Sequence, residues 1–120
     1  MSVHAIACLY ADGFGKSCPN SVVEALACGV PALVSDSCGI AGLITRGGAG
    51  LSVPRTLQDV VQAARALRER QQMFGRAARA LAEQHFAIVG FLNAYLRLYD
   101  EVLEDHKFAA PAIAAASLRY

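Results

Sequence analysis

The sequence predicts an α/β fold, in which a short parallel sheet of about three strands lies between two helical layers and further helices follow at the C-terminal end. Short apolar runs bounded by loops rich in Gly and Pro alternate with helical segments in the first half of the chain. The second half carries longer segments with apolar residues at i, i+3, i+4 and i+7 spacing. With 120 residues, 55% apolar and 18% charged, the chain fits one globular domain or part of a larger one.

The first strand and helix are predicted on either side of a Gly-rich loop. Residues 5–10 form a short apolar run, which is typical of a buried strand in a parallel sheet. After the loop, Asn20 or Ser21 is expected to cap a helix, with Glu24 in its first turn, where the helix dipole favours an anion. This pattern predicts a strand that leads through a polar loop into a short helix.

Two further strands complete the predicted sheet. Gly29 stands where a helix C-terminus favours a left-handed residue, and residues 31–35 then form a second buried strand. Residues 40–44 are expected to form one helical turn, and residues 51–53 a third, short strand. Because strands joined through helices run parallel, the sheet is predicted to be parallel.

Three helices are predicted after the sheet. Thr56 is expected to cap the first, which extends to about residue 70, and the second covers residues 71–84. The third covers residues 87–103 and carries a broad apolar face, so it is expected to dock on another surface.

The charge pattern excludes several classes of function. The formal net charge is +1 and the basic residues are scattered, with Arg76 and Arg79 assigned to a solvated helix face, so nucleic-acid binding is not supported. Neither a membrane span nor a signal peptide is recognisable. The expected location is therefore cytoplasmic, with peripheral attachment to the inner face of the membrane as an alternative.

The four cysteines do not predict a metal site. Cys8, Cys18, Cys28 and Cys38 form no Cys-x-x-Cys pair, and no histidine lies near them at ligand spacing. We expect reduced thiols that fill small interior spaces, and no metal.

The loop after the first strand resembles a phosphate-binding loop but fails both standard patterns. Gly15-Lys16-Ser17 matches the end of Gly-x-x-x-x-Gly-Lys-Ser, yet Tyr10 stands where the first glycine belongs. The dinucleotide pattern Gly-x-Gly-x-x-Gly fails because Cys18 replaces its third glycine. Neither pattern therefore assigns a function to this loop.

The position of the loop still makes it the best candidate for a ligand site, because α/β sheets bind ligands at the carboxyl ends of their strands. Glycines allow close approach of the backbone, Lys16 can meet a phosphate, and Glu24 suits a pair of ribose hydroxyls. The open alternative is that the glycines only turn the chain and Glu24 only complements the helix dipole. The candidate residues are Asp12, Gly13, Phe14, Gly15, Lys16, Ser17, Asn20, Ser21 and Glu24.

Residues 19–31, "PNSVVEALACGVP", resemble the donor-site segment of the retaining glycosyltransferases of family 4, whose architecture of two Rossmann domains is called GT-B. Residues 35–40 and 47–54 are similar to the Gly-containing segments that follow in that family, and "FLNAYLRLYDEVL" resembles its closing helix. The resemblance covers roughly residues 3–104. It implies a Rossmann-like three-layer α/β/α donor domain, present here as an incomplete GT-B C-terminal domain.

The resemblance also implies a reaction and roles for the candidate residues. The donor would be a nucleotide-diphosphate-sugar, and a hexosyl group would pass to the hydroxyl of a sugar, lipid or polysaccharide without a metal or other cofactor. Asp12 stands where the family's first Glu contacts the donor sugar, and Glu24 corresponds to the second Glu, expected on the ribose hydroxyls. These two are the candidate catalytic residues, while residues 13–15 and the helix start would hold the diphosphate. The sequence departs from the family in having Asp12 for Glu, and residues 15–18 lengthen the loop.

The resemblance further implies a fragment, with a partial donor-binding domain at residues 1–104 and a C-terminal tail at 105–120. A missing N-terminal domain, or self-association, would then cover the open sheet edge, and the chain alone is expected to be inactive. Two alternatives remain open. One is a non-catalytic module that binds nucleotides or sugar phosphates, and the other is a small structural α/β domain.

Overall fold

The computed structural model describes residues 3–117, with side chains described for residues 3–105. It confirms the α/β class and divides the chain into two compact units, Met1–Phe86 and Ala87–Tyr120. The predicted end of the donor domain at residue 104 stays a prediction. The elements of the first unit are β1 (Ile6–Cys8), α1 (Asn20–Ala27), β2 (Ala32–Ser35), α2 (Ala41–Arg46), β3 (Gly50–Val53), α3 (Leu57–Glu69) and α4 (Gln71–His85), and the second unit contains α5 (Ile88–Ser117).

The sheet has the strand order β1-β2-β3, and both pairs of strands are parallel as predicted. Ala32 of the central strand is in register with Ile6 on one side and with Gly50 on the other. All three strands therefore end at one edge of the sheet, called here the carboxyl edge, and begin at the opposite, amino edge.

Helices cover both faces of the sheet, which confirms the three-layer arrangement. Every residue of β2 is buried, and its side chains alternate between two apolar clusters. Ala32 and Val34 pack with α1, α2 and α4 on one face, whereas Leu33 packs with α3 on the other. The unbroken apolar run in this strand reflects its burial on both faces.

The prediction that β1 is buried was wrong. Ile6 and Cys8 are half-buried, and Ala7 and Leu9 are exposed. In the described residues β1 pairs with β2 alone, so it is an edge strand with one unpaired side. An apolar run by itself does not distinguish an edge strand from a central one.

The start of α1 also differs from the prediction. Pro19 is the N-cap, and its carbonyl accepts the N–H groups of Val22 and Val23 at 3.1 and 3.2 Å. Neither Asn20 nor Ser21 caps the helix with its side chain, because both already lie inside its first turn. Glu24 is the fifth helical residue and lies beyond that turn, so it does not act as a first-turn anion at the helix dipole.

The prediction for the N-terminus of α3 is confirmed. The hydroxyl of Thr56 accepts the N–H of Asp59 at 3.2 Å, and Asp59 supplies an acidic side chain in the first turn. Capping and charge thus act together where β3 leads into α3.

Arg79 is not simply part of a solvated face, as predicted. Its guanidinium donates to the carbonyl of Ala27 at 2.5 Å and to the carboxylate of Glu83 at 2.6 Å. A cation at the last carbonyls of a helix satisfies free acceptors and opposes the negative end of the dipole. Arg79 therefore caps the C-terminus of α1 from the neighbouring α4.

The turn that ends α1 makes a close contact with α4 through two glycines. Gly29 has a φ of +73°, as predicted for the residue that ends α1. A Cβ placed on Gly75 would lie 2.7 Å from the carbonyl oxygen of Gly29, much closer than carbon and oxygen approach without strain. Because the atom that this Cβ would meet belongs to the backbone, no change of side-chain rotamer could relieve the clash.

The second unit consists of the long helix α5. It continues past the end predicted near residue 103, and the rings of Phe91, Tyr95 and Tyr99 follow one another along it, with centroid separations of 4.6 and 6.3 Å. Its docking on another surface stays a prediction. Among the described residues, no helix is long and apolar enough to cross a membrane.

We predict that Gly75→Ala destabilises the first unit by about 1–3 kcal/mol, because the added methyl group overpacks the contact with Gly29. Urea unfolding followed by circular dichroism measures this change. Gly90→Ala is the control, since a Cβ there meets no atom within 4 Å. A Gly75→Ala midpoint equal to that of the wild type would show that the two helices do not meet at this contact.

Candidate functional site

The candidate site lies at the carboxyl edge of the sheet, where each strand leads into a loop. Residues 9–19 connect β1 to α1, residues 36–40 connect β2 to α2, and residues 54–56 connect β3 to α3. Loops at this edge form the ligand sites of α/β sheets. The predicted candidate residues lie in the first of these loops and in α1.

Ser35, the last residue of β2, ties the first two loops together. It is 1% exposed, and its hydroxyl oxygen accepts the N–H of Tyr10 at 3.0 Å. The same hydroxyl forms a hydrogen bond of 3.0 Å with that of Ser37. Because this buried hydroxyl forms both of these hydrogen bonds, it holds the starts of the two loops close together.

The β1–α1 loop also contacts the β2–α2 loop through backbone atoms. Gly39 donates its N–H to the carbonyl of Lys16 at 3.0 Å. A Cβ on Gly39 would lie 2.4 Å from the carbonyl oxygen of Ser17, and one on Gly15 would lie 2.3 Å from that of Ser37. The middle of the candidate loop is therefore held close against its neighbour, and the contact requires glycine on both sides.

Gly13 serves a different purpose from Gly15. The N–H of Phe14 donates to the carbonyl of Ala11 at 3.0 Å, which closes a tight turn, and Gly13 within it has a φ of +78°. A Cβ at Gly13 would meet no atom within 4 Å, so glycine is required there by the backbone conformation. The turn leaves the ring of Phe14 exposed.

A cavity of about 450 Å³ opens at the ends of β2 and β3. Of the predicted residues Asp12 alone lines it, and its carboxylate forms an ion pair of 2.5 Å with the guanidinium of Arg55. Asp36 also lines the cavity, and its carboxylate accepts a hydrogen bond from the hydroxyl of Ser52. The cavity lining consists of Asp12, Ser35, Asp36, Ser37, Val53, Pro54, Arg55 and Thr56.

Asp36 and Arg55 were not predicted as site residues. The available signal was their position, because Asp36 directly follows β2 and Arg55 comes two residues after β3. The ion pair between Asp12 and Arg55 joins residues far apart in sequence, and no local pattern indicates it.

The other predicted polar residues remain open to solvent. In the part of the chain that the structure describes, their side chains are exposed and form no hydrogen bond or ion pair with the protein, and they do not line the cavity. Their polar groups are therefore free to meet a ligand, and their individual roles stay predictions. These residues are Lys16, Ser17, Asn20, Ser21 and Glu24.

The cysteines occupy unequal environments, which corrects the expectation of four interior thiols. Cys38 is buried and Cys8 is half-buried, whereas Cys18 and Cys28 are exposed. Within residues 3–105 no three His, Cys, Asp or Glu side chains lie close enough together to hold a metal ion, and the expected absence of a metal in the reaction stays a prediction.

Two groups near the site, the thiol of Cys38 and the phenol of Tyr10, have raised pKa values. Burial raises the pKa of the Cys38 thiol. A hydrogen bond with Cys8, followed by desolvation, raises the pKa of Tyr10 to about 12. Since the thiolate is the reactive form of cysteine, Cys38 is suited to packing and not to nucleophilic attack.

Comparison with known proteins identifies one family. The model of a family described as glycosyl transferases group 1 matches residues 4–81, which is more than half of the chain. No curated protein and no solved structure matches the chain.

We predict that Gly39→Ala loosens the candidate loop, because the new methyl group collides with the backbone at Ser17. Tryptic cleavage after Lys16 should accelerate severalfold, which a time course analysed by mass spectrometry measures. Gly42→Ala is the matched control, since its methyl group would meet the flexible side chain of Arg46. Equal cleavage rates in the two variants would contradict the close contact between the loops.

We predict that iodoacetamide at neutral pH alkylates Cys18 and Cys28 quickly and Cys38 slowly, because Cys38 is buried and its raised pKa leaves little thiolate. The alkylation rate of Cys38 should rise only above the pH at which an ordinary cysteine thiol ionises. Peptide mass spectrometry over a pH series measures both. Alkylation of Cys38 as fast as that of Cys18 would contradict the burial described here.

Proposed function

We propose, because the chain belongs to the group 1 glycosyl transferases, that its β1–α1 loop and α1 bind a nucleotide-diphosphate-sugar donor for transfer of the sugar to a hydroxyl acceptor. Glycosyl transfer in general follows from the family. The observation that supports the donor site is a row of exposed polar side chains without protein partners, in the described residues, beside the carboxyl edge of a parallel sheet.

The diphosphate is proposed to bind at the loop. Gly13 carries no side chain between the backbone and a ligand, and a Cβ there would meet no protein atom within 4 Å. Gly15 keeps the loop against its neighbour, and Lys16 places a cation in the same loop. Ser17 and Asn20 add hydroxyl and amide groups next to the start of α1. N–H groups held in place before the reaction stabilise the charge that develops on a departing diphosphate.

Glu24 is proposed to bind the ribose. It lies in the second turn of α1, and in the described residues its carboxylate has no hydrogen bond or ion pair with the protein. Two carboxylate oxygens can each accept one hydroxyl of a vicinal pair. Because Glu24 does not act as a first-turn anion at the helix dipole, ligand binding is the better account of its place in the sequence.

Asp12 is proposed to contact the donor sugar with support from Arg55. The shorter side chain and the longer loop reduce what Asp12 can reach, but the ion pair with Arg55 holds one carboxylate oxygen and leaves the other without a described partner. That free oxygen can accept a sugar hydroxyl. Arg55 is then a positioning residue for Asp12.

The proposed transfer is a substitution at the anomeric carbon of the donor. The bond from that carbon to the diphosphate oxygen breaks, the acceptor oxygen forms a new bond to the same carbon, and the acceptor proton is released. No electrons pass to or from a cofactor, so the step needs only the donor and the acceptor. The resemblance implies that a second Rossmann domain holds the acceptor, and we therefore propose that this chain alone binds the donor without efficient turnover.

We predict that Glu24→Gln weakens donor binding by about tenfold or more, because it replaces a charged acceptor of two hydroxyls with a neutral amide. Isothermal titration with UDP-glucose, GDP-mannose and ADP-glucose identifies the nucleotide and measures the loss. Glu101→Gln is the control, since Glu101 is an exposed glutamate on α5, outside the candidate site.

Two results would contradict the proposed donor site. The first is that no nucleotide-sugar binds the wild type, and the second is that Glu24→Gln binds as the wild type does while its circular dichroism is unchanged. Release of sugar from a bound donor to added acceptors, measured with the isolated chain, distinguishes an enzyme from a binding module.

A further inference from the structure

We propose that the chain has a second binding site, separate from the donor site, for a small ligand that carries phosphate groups. It lies in a cleft of about 920 Å³ between the end of α3 and the beginning of α4. We call this the arginine cleft. Its polar lining consists of Arg68, Glu69, Arg70, Gln71, Gln72 and Arg76.

The charges in the arginine cleft are not balanced. The charged side chains that line it are three arginines and one glutamate. In the described residues none of Arg68, Arg70 and Arg76 has a carboxylate within ion-pair distance. By contrast, Arg55 and Arg79 each form an ion pair with an acidic side chain. Like charges gathered in one concavity repel each other and raise the local concentration of anions.

The arginine cleft is remote from the donor site. The helix α3 starts beside the cavity at the carboxyl edge and has 13 residues, which corresponds to about 20 Å. At its other end Leu67 packs in one cluster with Phe74 of α4 and with Ala5, which precedes β1. The cleft therefore opens near the amino edge of the sheet. A single phosphate group is too small to reach both the cleft and the donor site.

The shape and chemistry of the cleft favour a small phosphate-bearing ligand. A guanidinium group donates two parallel hydrogen bonds to phosphate oxygens, and the amides of Gln71 and Gln72 add donors next to the arginines. A second concavity shares Gln71, Gln72 and Arg76 and continues the polar lining towards Gly29. A concave site accepts a compact ligand, whereas a flat anionic membrane would not enter it.

The test is titration of the full chain with inorganic pyrophosphate, followed by the backbone amide signals in nuclear magnetic resonance. We expect saturable shifts at Gln71 and Gln72 and weaker binding at higher salt. The combined variant Arg68→Gln, Arg70→Gln and Arg76→Gln should weaken binding at these amides at least about tenfold. Arg65→Gln is the matched control, because Arg65 is exposed on the same helix but does not line the cleft.

Three results would overturn the proposal. Pyrophosphate shifts that are absent, or that are confined to residues 13–17, would show that the ligand does not bind in the cleft. Undiminished binding by the combined variant, with circular dichroism unchanged, would show that the arginines hold no ligand. Shifts at Gln71 and Gln72 with phosphatidylglycerol vesicles, and none with pyrophosphate, would identify a membrane surface instead.

The outcome is independent of the donor site. Glu24→Gln should leave the pyrophosphate shifts at Gln71 and Gln72 unchanged, and the combined arginine variant should bind nucleotide-sugars as the wild type does. Failure of either proposal is therefore visible without failure of the other.

Discussion

The hydrogen bonds of Ser35 hold together the edge of the sheet on which the candidate site is built. Ser35 ends the fully buried central strand, and its hydroxyl meets the backbone of Tyr10 and the side chain of Ser37. An apolar residue of similar size would fill the space but leave the N–H of Tyr10 without this acceptor. One polar atom at the end of an apolar strand therefore fixes where two loops leave the sheet.

Two backbone contacts, one at each edge of the sheet, extend this arrangement. At the carboxyl edge Gly15 and Gly39 bring the first two loops together, and at the amino edge Gly29 and Gly75 bring α1 against α4. The first contact shapes the loop that is proposed to bind the diphosphate, and the second positions the helix that carries Glu24. Close packing without side chains thus gives α1 a defined position at both of its ends.

Some of the arginines form ion pairs, whereas those of the arginine cleft have no such partner among the described residues. Arg55 and Arg79 are each engaged, the first with Asp12 at the cavity and the second with Glu83 and the end of α1. Exposed pairs of this kind contribute little to stability, so their main effect is to orient the groups that they join. The net charge of +1 does not reveal this division, because it counts paired and unpaired charges alike.

Local sequence patterns were enough to predict the class of the fold, the order of its elements, the Thr56 cap and the left-handed Gly29, because each depends on neighbours within a few residues. The pattern in residues 19–31 likewise pointed to the family that residues 4–81 match. Three features emerge only in the folded chain: β1 is an edge strand, Arg55 pairs with Asp12, and the close contacts of Gly15 with Ser37 and of Gly39 with Ser17 join two loops. These features join residues that are distant along the chain, and such contacts exist only after the strands have paired and the helices have packed.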